Sequence, residues 1–203
     1  DRGPGWLAEV ESRLAGHGIR LARIYLTVRH PQVDSLLRQA GYACREELLF
    51  TDDLPDPGPL LSFRKVQTNE DWARKLAFHL EAPQSPDGHD TRAADLVGLE
   101  RHKCAHGMEA FLSEIGGKVV GVVGALWGDG IVRVKNLLVH PEHRRRSVGT
   151  ALLSHIAILG RQRGLREQCV LALEGGAGEK LYRSLGMRQP GSQFEWSKRL
   201  DGA

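Results

Sequence analysis

Three consecutive arginines, Arg144, Arg145 and Arg146, are followed by Ser147, Val148, Gly149 and Thr150 and then by the apolar-periodic run "ALLSHIAILGRQ". Guanidinium groups are forked donors that suit phosphate oxygens. The run reads as a helix beginning near Ser147. A helix's first turn carries backbone N–H groups without intrahelical acceptors and a partial positive charge. A pyrophosphate can rest on such an end if the backbone is approachable, and Ser147 and Gly149 are both small. The chemistry implied is the holding of a phosphate-bearing molecule. Basic turns are commonly solvated surface, so the turn alone leaves both readings open.

The elements that must position this turn follow from periodicity. Upstream, "MEAFLSEI", "KVVGVVGALW" and "IVRVKNLLV" read as strands joined by turns at Gly116-Gly117 and Asp129-Gly130. Downstream, "QCVLALE" reads as a buried strand, "GEKLYRSLGM" as a short helix stopped at Gly186, and "QFEWSKRL" as a last strand. "NEDWARKLAFHL" reads as a helix with Asn69 as its N-cap, and "TRAADLVGLERHKCAH" as another. From residue 63 the order is β-α-α-β-β-β-α-β-α-β, an α/β (α+β) domain built on a mixed sheet. The stretch "TDDLPDPGPLLSF", with three prolines, marks a boundary, and "EAPQSPDGHD" a loop.

The first 50 residues read as helix, glycine stop, strand, helix, glycine stop, strand, the same order as residues 150–198. "SLLRQAGY" aligns with "KLYRSLGM", placing Leu36 opposite Leu181, Arg38 opposite Arg183 and Gly41 opposite Gly186. This reads as a partial internal repeat, with Leu37 where the second copy has Tyr182. The expected organisation is a half-domain at 1–52, a linker at 53–62 and a complete domain at 63–203.

Bulk properties narrow the function classes. A formal charge of +3 gives little electrostatic case for nucleic acid. No apolar run approaches the roughly 20 residues of a membrane span, and no secretory signal is visible. Three widely spaced cysteines, Cys44, Cys104 and Cys169, favour reduced thiols and a cytoplasmic protein. His102 and His106 lie one helical turn apart around Cys104, but no second ligand group at clear spacing accompanies them, and no metal is expected.

The Arg144–Gly149 turn between strand and helix, with "LYRSLGM" one strand later, resembles the GCN5-related N-acetyltransferases, the GNAT superfamily. The resemblance covers roughly residues 63–198 and is most specific at 131–187. The superfamily's Gln/Arg-x-x-Gly-x-Gly/Ala signature stands here with Ser147 for its first glycine. The resemblance implies acetyl-CoA (acyl-CoA) as co-substrate and a small-molecule or peptide amine as acceptor, joined by direct attack in a ternary complex. It implies that "NLLV" splays from its neighbour, so that Leu137, Leu138 and Val139 pair with the pantetheine arm. The Leu138 N–H is then the expected donor to the thioester carbonyl. Residues Arg144, Arg145, Arg146, Ser147, Val148, Gly149 and Thr150 would hold the pyrophosphate. Tyr182 matches the tyrosine that protonates the departing thiolate.

Relatives often place a carboxylate base on the splayed strand. Here that strand offers Arg133 and Lys135, whose alternation reads first as a solvated face and second as an attraction for an anionic acceptor. Glu174 is the remaining carboxylate for a base. "GGAG" stands where the superfamily often has an asparagine, which opens the acceptor side. A homodimer contact is one expected use of the half-domain. The rival class is a non-catalytic CoA-binding or regulatory module with a degenerate site.

Overall fold

The computed structural model describes residues 5–54, 61–82 and 93–200. Residues 83–90 of the expected 81–90 loop, 91–92 of the helix expected after it and 55–60 of the expected linker lie outside the described residues. The chain divides into two compact units, Asp1–Phe50 with Leu171–Ala203, and Thr51–Val170.

In the second unit the elements run β3 (Ser62–Lys65), α3 (Asn69–Glu81), α4 (Ala93–Ala105), β4 (Met108–Ile115), β5 (Lys118–Trp127), β6 (Ile131–Val139), a 3-10 turn (Pro141–His143), α5 (Val148–Gln162) and the start of β7 (Glu167–Leu173). The order of hydrogen-bonded strands is β7-β6-β5-β4-β3. Pairing is parallel between β6 and β7 and antiparallel elsewhere in this unit, so the sheet is mixed. The glycines at 116 and 117 both take positive φ, as the β4–β5 hairpin turn requires.

Helix α3 begins one residue earlier than the sequence suggests. Thr68, not Asn69, is the N-cap. Its hydroxyl accepts from the Asp71 N–H at 3.1 Å while the Asp71 carboxylate accepts from the Thr68 N–H at 2.9 Å. This reciprocal pair satisfies two helix-end donors and holds the Asp71 carboxyl below its usual range, the Thr68 N–H being the main cause. Asn69 instead accepts from Arg101 on α4 at 2.7 Å.

Strand β5 is buried without interruption from Val119 to Ala125, the pattern of a strand covered on both faces. Helix α5 forms part of that cover, burying Val148, Ala151, Leu152, Leu153, Ile156 and Ala157. Gly121 makes the close approach feasible. A Cβ there would stand 3.0 Å from Leu152 Cδ1 and 3.1 Å from Val148 Cγ1. The α5 N-terminus is thereby seated on β5 by a position that admits no side chain.

In the first unit the elements are α1 (Gly5–Gly16), β1 (Leu21–Leu26), α2 (Pro31–Gln39), β2 (Ala43–Asp53, to Phe50), the end of β7, α6 (Ala177–Ser184) and β8 (Arg188–Arg199). The last strand enters between the first two, in the order β1-β8-β2. Leu7, Ala22, Leu37, Tyr42 and Trp196 form its core. Two of the glycine stops in this unit, Gly41 and Gly186, carry the same bonds. Gly41 and Tyr42 donate to Arg38 and Leu37, and Gly186 and Met187 donate to Arg183 and Tyr182. Gly41 has φ +85 and Gly186 φ +75, the left-handed conformation that ends a helix without a Cβ penalty. Among the described residues no helix is long and apolar enough to cross a membrane.

Candidate functional site

Strands β6 and β7 pair only from Ile131↔Glu167 to Val134↔Val170. Strand β6 continues to Val139, so residues 135–139 run on past the last parallel pair. On its other edge β6 stays paired with β5, with Leu138 opposite Val122 and Val139 opposite Gly121. Between Lys135↔Gly124 and Leu138↔Val122 the register slips, so Asn136 and Leu137 together oppose Val123. This is a β-bulge, and Asn136 adopts φ +50 within it. A bulge bends its strand and adds local twist, and this one lies two residues beyond the point where the β6–β7 ladder stops.

The ladder also decides which backbone groups face the open side. His140 donates to the Val120 carbonyl at 2.9 Å, which makes their pair a hydrogen-bonded one. Bonded and non-bonded pairs alternate in an antiparallel ladder. Leu138 and Val122 are therefore a bonded pair, and the Leu138 N–H faces β5. The Leu138 N–H, the expected thioester donor, is thus turned away from the outer side of the strand. Val139 lies in the alternate position, and its carbonyl accepts from Arg144 Nε at 3.2 Å on the outer side. Leu137 lies in the bulge, outside the bonded positions of the ladder. Leu137 and Val139 are thus the outward-facing members of the expected trio.

The turn that follows is exposed from Arg144 to Ser147, whereas Val148, the first residue of α5, is buried and Gly149 and Thr150 are half-buried. Arg145 has φ +57 and Ser147 φ +59. Left-handed residues within a turn gather successive N–H groups into an anion-binding concavity. Ser147 is the residue before α5 and its side chain makes no cap bond, so it serves the helix end through its backbone. The position occupied by glycine in the superfamily's signature is left-handed here, and a serine held there is strained by about 1 kcal/mol. Ser147→Gly is expected to raise stability by roughly 0.5–1 kcal/mol, after allowance for the freer unfolded chain, and to leave acetyl-CoA affinity equal or tighter. Thermal denaturation with and without acetyl-CoA checks both; a less stable glycine variant would remove the strain from the account.

Tyr182 and Glu174 belong to the first unit. Tyr182 is buried on α6, its ring 5.5 Å from that of Phe50. Gly178, one turn earlier, lies so close that a Cβ there would stand 3.4 Å from the tyrosine ring. Burial pushes the phenol up to about 12. Glu174 is exposed just past the end of β7, and its N–H donates to the Glu46 carbonyl. Arg133 and Lys135 are half-buried on β6, with Arg133 level with Cys169. Burial raises the Cys169 thiol, and the two cations oppose that rise. His102 and His106 lie side by side, rings 4.5 Å apart and both exposed.

Sequence reasoning missed a buried group behind β6. Lys75 Nζ on α3 stands 2.9 Å from Glu100 Oε2 on α4, and Glu100 also accepts from Asn136 Nδ2. The signal available was weak, a lone Lys and a lone Glu on two helices.

A family profile described as an acetyltransferase (GNAT) domain matches residues 107–188. A mycothiol acetyltransferase of Parafrankia sp. (strain EAN1pec) is 39% identical over 75 residues, which is 36% of this chain and 23% of that protein. The match therefore spans under a quarter of that relative. Among solved structures, a GCN5-related N-acetyltransferase from Kribbella flavida superposes with a TM-score of 0.62 at 16% identity, over 98% of this chain and 76% of that one. A tandem GNAT protein from the clavulanic acid biosynthesis pathway gives 0.62 at 15% identity, over 100% and 72%. At such identities these likenesses show the fold.

Proposed function

We propose, on the premise that residues 107–188 form an acetyltransferase domain of the GNAT superfamily, that the chain moves an acyl group from acetyl-CoA to an amine. One observation carries this reading. In a single unit the outer edge of β6 opens beyond Val134, and a left-handed turn leads into the α5 N-terminus.

The outward backbone of Leu137 and Val139 suits the amides of a pantetheine arm. The turn at 144–150 suits a pyrophosphate, held mainly by N–H groups, with Arg144, Arg145 and Arg146 adding charge. Leu137 takes the part first expected of Leu138, donating to the thioester oxygen as it becomes an oxyanion. The amine attacks the carbonyl carbon, the C–N bond forms and the C–S bond breaks. Tyr182 gives the sulfur a proton, and Glu174 takes one from the ammonium. Tyr182 is suited to its part because its phenol, pushed up to about 12, stays protonated at neutral pH.

We also read residues 1–52 as a partial repeat of the second half of a 63–203 domain. The matching bonds at Gly41 and Gly186 support this. The second functional reading, a CoA-binding module without turnover, draws on Arg133 and Lys135 standing where a β6 carboxylate would serve. Calorimetry with acetyl-CoA tests the binding half. A dissociation constant on the scale of enzyme KM values, about 1 μM to 1 mM, is expected, and absence of binding would reject both readings. The acceptor panel for turnover includes simple amines, polyamines, aminoglycosides, peptide N-termini and the acceptor of mycothiol acetyltransferase.

A further inference from the structure

Glu100 is 2% exposed and Lys75 fully buried. A buried ion pair is expensive to assemble and is weak evidence for stability, so a second use for it is worth seeking. Glu100 has one. While Oε2 faces Lys75, Oε1 accepts from the side-chain amide of Asn136. His79 is buried near the pair. Burial, with Lys75 adding, pushes its imidazole down to about 4, so it brings no competing positive charge to Glu100 near neutral pH. Cys104, half-buried on α4, has its thiol raised by burial and then by Glu100. Lys75 therefore stands as the cation that fixes Glu100, and Glu100 fixes Asn136.

Asn136 is exposed at the opened part of β6 and is the left-handed residue of the bulge. The planar peptide joining it to Leu137 carries the Leu137 N–H, so the Asn136 backbone angles set where that N–H points. Asparagine tolerates the left-handed region better than other residues with a side chain, and outside contacts hold such a residue there. The amide bond to Glu100 is such a constraint, reaching from α4 to β6.

We propose that Glu100 is a positioning residue. Through the Asn136 side chain it locks the β6 bulge and aims the Leu137 N–H toward the open side of the strand. The proposal rests on the acyl-transfer reading, because the aim matters where that N–H meets a thioester oxygen.

The test separates the clamp from the charge pair. In Lys75→Met/Glu100→Gln both charges are gone, and glutamine can still accept from Asn136. In Lys75→Met/Glu100→Met the charges are gone and the acceptor is gone too. The glutamine version is expected to keep kcat within about threefold of wild type, and the methionine version to lose on the order of 10- to 100-fold in kcat, as for a catalytic group misplaced by about 1 Å. Acetyl-CoA affinity by calorimetry should differ little between them. Asn136→Leu, an exposed change that leaves the ion pair whole, should reproduce the kcat loss if either double variant fails to fold.

The clamp can also be read without turnover. Exchange of the Leu138 amide, which faces β5 beside the bulge, is expected to be roughly tenfold faster in the methionine version than in the glutamine version, a local opening rather than global unfolding. Equal exchange would overturn the clamp. Faster exchange with equal kcat would overturn the positioning role. Faster exchange with no thiol released by wild type would instead sink the acyl-transfer reading and leave the clamp standing.

Discussion

Gly149→Val weakens acetyl-CoA binding by about 10- to 100-fold, a loss of roughly 1.4–2.7 kcal/mol, whereas Arg145→Ala weakens it by only a few fold. The first arm follows from the position of Gly149, the second residue of α5 and half-buried beside the exposed turn. An isopropyl group there comes between the first-turn N–H groups and any phosphate that approaches them. The second arm follows from the exposure of Arg145, whose side-chain charge acts through solvent and is screened by salt. Its contribution to the turn lies mainly in its left-handed backbone, at φ +57, which alanine adopts at some cost. Calorimetry on both variants at two salt concentrations gives the comparison. The opposite order, with a steep salt dependence, would mean that the turn acts as a patch of charge and the helix end does little.

Tyr182→Phe lowers kcat by about 100-fold or more, the usual scale for loss of a positioned proton donor, with acetyl-CoA affinity unchanged. Removing one hydroxyl leaves the ring's contact with Phe50 in place, 5.5 Å between centroids, so the fold should tolerate the change. The pH behaviour is distinctive. Burial raises the phenol from 10 to about 12, so the donor stays protonated throughout an ordinary assay range, and kcat of wild type should not fall through a pKa near 10. The same shift links to stability with a definite sign. The folded pKa exceeds the unfolded one, so the associated stability is fully present below pH 10 and is lost as the pH rises through 12. A variant that turns over as fast as wild type at saturating acetyl-CoA would leave Tyr182 a packing residue.

Most of the element order was legible in the sequence, because glycine stops and changes of hydrophobic period are local signals. Gly116-Gly117, Gly164 and Gly186 all mark real ends, each at positive φ. The turn before α5 was legible as small residues ahead of a helix. What was hidden is the left-handed state of Ser147, since serine does not advertise it as glycine would. The outward-facing groups of β6 were hidden as well, because the bulge at Asn136 adds a residue to the strand and turns Leu137 and Val139, not Leu138, away from β5. Asn69 lost the cap to Thr68 because the N-cap is decided by the reciprocal bond to Asp71, not by proximity to the helix. The Lys75–Glu100–Asn136 chain joins positions up to 61 residues apart on three elements, and no periodicity or short motif connects them.

Release of free thiol from acetyl-CoA by the full chain, measured across the amine panel at saturating co-substrate, decides whether the chain transfers an acyl group. Thiol release that depends on an added amine is expected, with one acetylated amine formed per thiol. Tight acetyl-CoA binding with no amine-dependent release across the panel would contradict it and make the chain a CoA-binding module.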